Sequence, residues 1–244
     1  MMFTGHTVLV AGGSCDMALA LCPLLADAGL RPVLTFRSDE GKQRIQDATD
    51  GTACFFDLET ALEPDGFSRL DAQFEGGGPD YLVDFAHGNL ESLVATADPM
   101  AVGRYMHGNV TCRAALVKWA SRRMMAGRFG RMLYVSSTAA VLQNGGQGLY
   151  AASKKACEAI YQGIGIELGK KGITSAILRP GYVSAGRGTL YLEEHGDRIR
   201  KRVPLGRAAT SSEVAETLLF LLSDAARPIN ATAITMDGGL TACK

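Results

Sequence analysis

Thr7-Val8-Leu9-Val10-Ala11-Gly12-Gly13-Ser14-Cys15-Asp16-Met17-Ala18 is the stretch that decides the fold. A short β-branched run passes through two glycines into residues with helical spacing. Strand, tight turn and helix in that order form a place where a pyrophosphate rests on free backbone N–H groups and a helix dipole. Taken alone, a Gly-Gly turn between strand and helix is as often only a turn. Gly12, Ser14, Asp16 and Met17 are the candidate cradle residues. Asp16 is the awkward one, because a carboxylate at a helix N-terminus occupies the same N–H groups and repels phosphate. It reads either as an ordinary N-cap or as a side chain turned away from the ligand.

Outward from this turn the same grammar repeats. Apolar runs at Thr7–Val10, Pro32–Phe36, Ala53–Phe56, Tyr81–Asp84, Met132–Val135, Ser175–Leu178 and Ala233–Met236 read as strands buried on both faces. Helical spacing is expected over 17–28, 39–48, 63–74, 99–127, 149–170 and 212–223. The alternation predicts an α/β fold: a single-domain, Rossmann-type, doubly wound parallel sheet of about seven strands with helices on both faces. Residues 1–244 form one domain, and the charged, glycine-containing segment 184–202 reads as a mobile lid over a substrate. Ser211-Ser212 before Glu213 is a candidate cap for the last helix. Pro23 falls inside the first helix and should kink it or shift its start.

Composition removes several function classes. Twenty-five basic residues balance 25 acidic ones, so nothing in the overall charge calls for nucleic acid or an anionic membrane. No run approaches the roughly 20 apolar residues that span a bilayer. The N-terminus reads as lacking a signal peptide, which gives a cytoplasmic location as the expectation. Six scattered cysteines, with no CxxC pair and no nearby histidine partner, predict reduced thiols rather than a metal site or a disulfide framework.

The second strand ends in Arg37-Ser38. An acidic residue there suits a ribose diol, whereas an arginine suits a 2′-phosphate, so Arg37 and Ser38 favour NADP over NAD. Asp57, after the third strand, could accept from an adenine amino group or merely cap a turn. Further on, Tyr150 and Lys154 are four residues apart on one helix and so share a face. A phenol titrates near pH 10, and a neighbouring cation stabilises its anion, making Tyr150 a usable proton donor. Ser137 stands at the C-terminal end of the fifth strand, where it could hold a carbonyl oxygen while a nicotinamide delivers hydride. Asn109 is a polar residue among apolar neighbours; it either binds a water serving Lys154 or ties down a helix distortion.

These stretches, together with Arg179-Pro180-Gly181-Tyr182-Val183, Pro204-Leu205-Gly206-Arg207 and Met236-Asp237-Gly238-Gly239, resemble the short-chain dehydrogenase/reductase family over nearly the whole chain. The resemblance implies a catalytic tetrad of Asn109, Ser137, Tyr150 and Lys154. It implies that Pro180, Gly181 and Val183 line the nicotinamide, that Lys154 also binds the ribose, and that Tyr150, Leu58, Ala86 and His87 belong to the NADP(H) site. Asn144-Gly145-Gly146-Gln147 before Tyr150 is similar to 3-oxoacyl-carrier-protein reductases of fatty acid biosynthesis. That likeness implies docking of an acidic acyl carrier protein through Arg128 and Lys171, and a homotetramer or homodimer.

The sequence departs from the family pattern at three places, all on the cofactor side: the turn at 11–18 lacks two of three glycines, strand four ends Asp84-Phe85-Ala86-His87, and Ala185 replaces the usual threonine. Two functions are therefore weighed. One is an NADPH-dependent carbonyl reductase acting on a 3-oxoacyl thioester. The other is a non-catalytic scaffold or binding subunit that keeps the fold and binds cofactor poorly.

Overall fold

A computed structural model of the chain describes residues 1–74 and 77–243. Seven strands build one sheet: β1 (Thr7–Ala11), β2 (Arg31–Phe36), β3 (Thr52–Phe55), β4 (Tyr81–Asp84), β5 (Gly130–Val135), β6 (Ile173–Pro180) and β7 (Thr232–Met236). Their order is β3-β2-β1-β4-β5-β6-β7, with every pairing parallel. The winding reverses between β1 and β4, so a crevice opens at the C-terminal ends of those two strands. The helices are α1 (Asp16–Asp27), α2 (Asp39–Ala48), α3 (Ser68–Asp71), α4 (Pro99–Met106), α5 (Cys112–Gly127), α6 (Gly148–Leu168), α7 (Arg187–Arg202) and α8 (Ser211–Leu222).

The side-chain period of two divides the core between the faces of the sheet. Val8 and Val10 pack with Leu21 and Leu25 of α1 and Leu218 of α8. Leu9 and Ala11, their neighbours in β1, pack on the other face with Leu116 and Trp119 of α5 and Tyr161 of α6. Burial on both faces is why these strands read as unbroken apolar runs.

Four local expectations need correction. The helix expected over 63–74 shrinks to the single turn of α3, because Pro64 lacks an N–H and the chain folds back so closely at Gly66 that a Cβ there would strike Thr60. The helix expected over 99–127 is divided into α4 and α5 by a π turn at His107–Thr111. The cap of α8 is Thr210 rather than Ser211 or Ser212; its hydroxyl accepts from Glu213 N, and the Glu213 carboxylate accepts from Thr210 N. The segment 184–202 is mostly helical: Ile199 and Val203, at i,i+4 spacing, are buried against Leu240 and anchor the end of α7. Pro23 lies well inside α1, which starts at Asp16 and runs through it.

Candidate active site

Gly12 and Gly13 are required by the packing of the turn. Gly12 has φ +72°, and a Cβ on it would stand 2.7 Å from Ala86 N; a Cβ on Gly13 would meet Leu34 at 2.6 Å. Thr35 fixes the turn from β2, its hydroxyl accepting from Gly12 N at 3.0 Å and its carbonyl from Gly13 N at 2.9 Å. A cavity of about 230 Å³ opens beside the turn at the switch point. Of the residues singled out for the cofactor, Gly12, Ser14, Arg37, Asp57, Leu58, Ala86 and His87 line it, and so does Asn109. Arg37 is exposed at its rim and takes no ion pair among the described residues. Ser38 instead caps α2, accepting from Gly41 N, and Met17 packs into the core. Asp57 caps a short 3-10 turn through Glu59 N while still facing the cavity.

Asp16 does not cap α1. Cys15 holds the N-cap position without a side-chain bond, and Asp16 is the first helical residue. Its carboxylate turns outward, paired with Arg44 of α2 and accepting at 2.6 Å from the N–H of Gly186, the residue before α7. The negative charge at the cradle is thus offset by a guanidinium and tied to the residue that leads into α7.

A second cavity, of about 290 Å³, is lined by Ser137, Tyr150, Gly181 and Val183 together with Leu142, Tyr182, Tyr191 and Arg202. Ser137 and Tyr150 therefore face one space. Ser137 Oγ accepts from Ala139 N at 3.1 Å, which leaves its hydroxyl hydrogen to donate elsewhere. Lys154 is buried behind Tyr150, its Nζ donating to Val135 O at 2.9 Å and standing 5.8 Å from the Tyr150 ring centre and 5.0 Å from that of Tyr134. Pro180 closes β6 and is buried.

Two buried ion pairs hold these parts in register, and neither was anticipated from the sequence. Glu158 of α6 accepts two bonds of 2.6 Å from Arg179 near the end of β6 and one of 2.8 Å from Ser136 at the end of β5. Burial raises the Glu158 pKa, but the hydrogen bonds from Arg179 and Ser136 outweigh it and hold the carboxyl below its ordinary range. Asp84 and Arg113, both fully buried, form the second pair at 2.7 Å. The Asp84 carboxylate also accepts from Tyr161 OH at 2.8 Å and from Ala86 N at 3.0 Å. Its partner guanidinium donates onward to the carbonyl of Asn109.

Asn109 sits in the π turn, and both ends of its amide are engaged. Its Oδ1 accepts from Gly88 N at 2.7 Å and its Nδ2 donates to Tyr105 O at 2.9 Å. Its carbonyl already takes donors from Arg113 and from the Cys157 thiol. This geometry matches the anchoring of a helix distortion more closely than a water site for Lys154. Arg128 and Lys171 lie elsewhere, just before β5 and β6 respectively, at the sheet edge opposite Ser137 and Tyr150. They neighbour each other, since Gly130 N donates to Gly172 O.

Among the described residues, no group of three or more His, Cys, Asp or Glu side chains is placed to hold a metal ion. No helix among them is long and apolar enough to cross a membrane.

Comparison with known proteins gives a consistent picture. The sequence model of the family described as enoyl-(acyl carrier protein) reductase matches residues 13–241. The chain is similar to the 3-oxoacyl-[acyl-carrier-protein] reductase FabG of Escherichia coli, at 27% identity over 98% of this chain and 99% of that one. It is similar to the 3-oxoacyl-[acyl-carrier-protein] reductase MabA of Mycobacterium tuberculosis at 28% identity, over 98% and 94% of the two chains. Among solved structures, an oxidoreductase of the short chain dehydrogenase/reductase family from Burkholderia thailandensis superposes with a TM-score of 0.87 at 26% identity, covering 99% of this chain and 94% of that one. A gluconate 5-dehydrogenase from Burkholderia cenocepacia, in complex with NADP and tartrate, shares the fold with a TM-score of 0.87 at 24% identity over 100% and 98% of the chains.

Proposed function

The chain belongs to the short-chain dehydrogenase/reductase family of oxidoreductases, and from that premise we propose that it is an NADPH-dependent reductase of a 3-oxoacyl thioester. The carrying observation is that Ser137 and Tyr150 face one cavity with Lys154 buried behind the phenol. NADP(H) fits the other cavity. Gly12 lets the turn pack against the Ala86 backbone, which a Cβ would strike, Arg37 at the rim is a cation with no ion pair among the described residues that suits a 2′-phosphate, and Arg44 offsets the charge of Asp16. That offset weakens one motive for the scaffold reading, which rested on Asp16 and on the altered end of strand four.

Bound NADPH supplies the hydride that adds to the carbonyl carbon. The remaining work belongs to the chain. Ser137 donates to the carbonyl oxygen and holds it toward Tyr150. Tyr150 transfers its O–H proton to that oxygen as the C=O bond becomes CH–OH. The Lys154 ammonium stabilises the phenolate that remains. Gly181 and Val183 line the same cavity, where they would flank a bound nicotinamide. Both hydrophobic and aromatic walls, Leu142 and Tyr182 among them, suit an acyl chain.

The thioester carrier is proposed to be acyl carrier protein, attracted by the neighbouring Arg128 and Lys171, in a cytoplasmic homodimer or homotetramer. Because that pair lies on the sheet edge away from the cavity, its contribution is to encounter rather than to the chemistry. Following NADPH oxidation with acetoacetyl-acyl carrier protein, acetoacetyl-coenzyme A and simple ketones tests the reading. Turnover confined to simple ketones would reject the thioester assignment.

Two substitutions probe the cofactor side. Arg37→Asp should shift the ratio of NADPH to NADH affinity by about 10- to 100-fold towards NADH, the scale of a lost charge-assisted hydrogen bond. An unchanged ratio would remove Arg37 from the phosphate site. Asp16→Gly should tighten NADPH binding by leaving the Arg44 guanidinium without its carboxylate partner beside the cradle, while freeing the Gly186 N–H to exchange faster with solvent. Fluorescence titration and hydrogen exchange measure the two effects; weaker binding with unchanged exchange would contradict both.

A further inference from the structure

His87 follows β4 and joins the two cavities: it lines the first, and its ring meets Tyr150, which lines the second. Its Nε2 lies 3.1 Å from both Tyr105 OH and Ser153 Oγ, which are 2.9 Å from each other. Counting hydrogens over these three contacts favours the Nε2–H tautomer. Ser153 uses its hydrogen on the Tyr150 carbonyl at 2.8 Å, so the three short contacts share only what Tyr105 and His87 supply. A hydrogen on Nε2 covers both imidazole contacts as a bifurcated donor, and Tyr105 donates to Ser153. A bare Nε2 would leave one hydrogen to serve all three. Nδ1 is then the acceptor, 3.5 Å from Tyr134 OH.

Anchored in this way, the imidazole stands edge to face with Tyr150, the ring centres 5.4 Å apart and the planes at 90°. We propose that His87 is a positioning residue for Tyr150, its Nε2 tethered by hydroxyls from α4 and α6 so that its ring sets the angle of the phenol toward the substrate cavity. The inference rests on Tyr150 being the proton donor. It also gives the reaction a second titrating group. The groups that meet the imidazole include Tyr105 from α4, Tyr134 from β5, and Tyr150 and Ser153 from α6; beyond them Lys154 of α6 lies 5.0 Å and Arg113 of α5, paired with Asp84 of β4, 5.1 Å from the Tyr134 ring. Burial holds the Tyr134 phenol far above its ordinary range, so it remains a neutral hydroxyl throughout. Protonation of Nδ1 turns that nitrogen from acceptor to donor. The Tyr134 O–H must then rotate, and a positive charge arrives beside Tyr150.

With acetoacetyl-coenzyme A and NADPH as the assay, His87→Ala should lower kcat by about 10- to 100-fold, the cost of a misplaced reacting group, and leave the thioester KM within about threefold. His87→Gln keeps an N–H donor near the Nε2 position without titrating. It should recover most of kcat, and the acid-side fall in kcat expected of the parent should flatten. Unchanged kcat in His87→Ala, or an acid-side fall that persists in His87→Gln, overturns the proposal; if His87→Ala does not fold, the glutamine profile alone decides. Failure of the parent to reduce any thioester would count against the substrate class and not against this inference, which has its own readout. With ring-labelled tyrosine in NMR, the Tyr150 signal, assigned through Tyr150→Phe, should titrate with the His87 imidazole and stay flat in His87→Gln. A Tyr150 signal indifferent to His87 overturns it without any substrate.

Discussion

Tyr150→Phe should lower kcat by about 10³-fold, within the range for a lost general acid, while NADPH affinity stays within about twofold. The substitution removes one oxygen and leaves the ring that meets His87 edge on and lies 5.8 Å from Lys154 Nζ. The Tyr150 carbonyl, which accepts from Ser153, is untouched. Of the other phenols on this cavity, Tyr182 is raised by burial and stacks on Tyr191. Ser137 shares the cavity, but a serine hydroxyl is a far weaker acid than a phenol beside an ammonium. Tyr105 and Tyr134 are committed to the His87 cluster, and burial raises both phenols. Stopped-flow measurement of NADPH oxidation, paired with fluorescence titration of NADPH, separates the two quantities. A loss of less than tenfold, or a parallel loss of NADPH binding, would mean that Tyr150 is not the proton donor.

The parts of this protein that were legible in the sequence are those governed by local periodicity. Strands buried on both faces leave unbroken apolar runs, and residues four apart on a helix share a face, so the sheet and the Tyr150–Lys154 pair could both be read directly. The Arg113–Asp84 and Glu158–Arg179 pairs could not, because they join residues distant in the chain. Half of each signal was nevertheless present. Arg113 falls on the stripe of α5 that carries Cys112, Leu116 and Ala120, and Glu158 falls on the stripe of α6 that carries Ala151, Lys154 and Tyr161. A charge at core spacing predicts a buried partner even when it cannot name one. Helix α7 was obscured for the opposite reason: among its described side chains Ile199 is the buried one, and its charges read as a loop. The π turn at Asn109 is a backbone event with no side-chain period to announce it.

The same reasoning turns the unusual end of strand four from a defect into a compensated substitution. Asp84 would be untenable alone at full burial, yet Arg113 neutralises it and Tyr161 and Ala86 N complete its bonds. Arg113→Met removes the cation while keeping much of the side-chain volume, stranding a carboxylate that only a phenol and one N–H still serve. Breaking a buried pair in this way costs about 3–5 kcal/mol, which should lower Tm by about 10 °C in a chain of this size. Because Asp84 sets Ala86 and Arg113 holds the Asn109 carbonyl, NADPH affinity should fall as well, in the folded protein and at temperatures well below the new midpoint. The double variant Asp84→Asn/Arg113→Met discriminates between causes. If the uncompensated charge is what destabilises Arg113→Met, removing it must restore a measurable part of the lost stability in denaturant titration. A double variant no more stable than the single one would instead assign the loss to packing around Tyr134, over whose ring the Arg113 guanidinium lies at 5.1 Å.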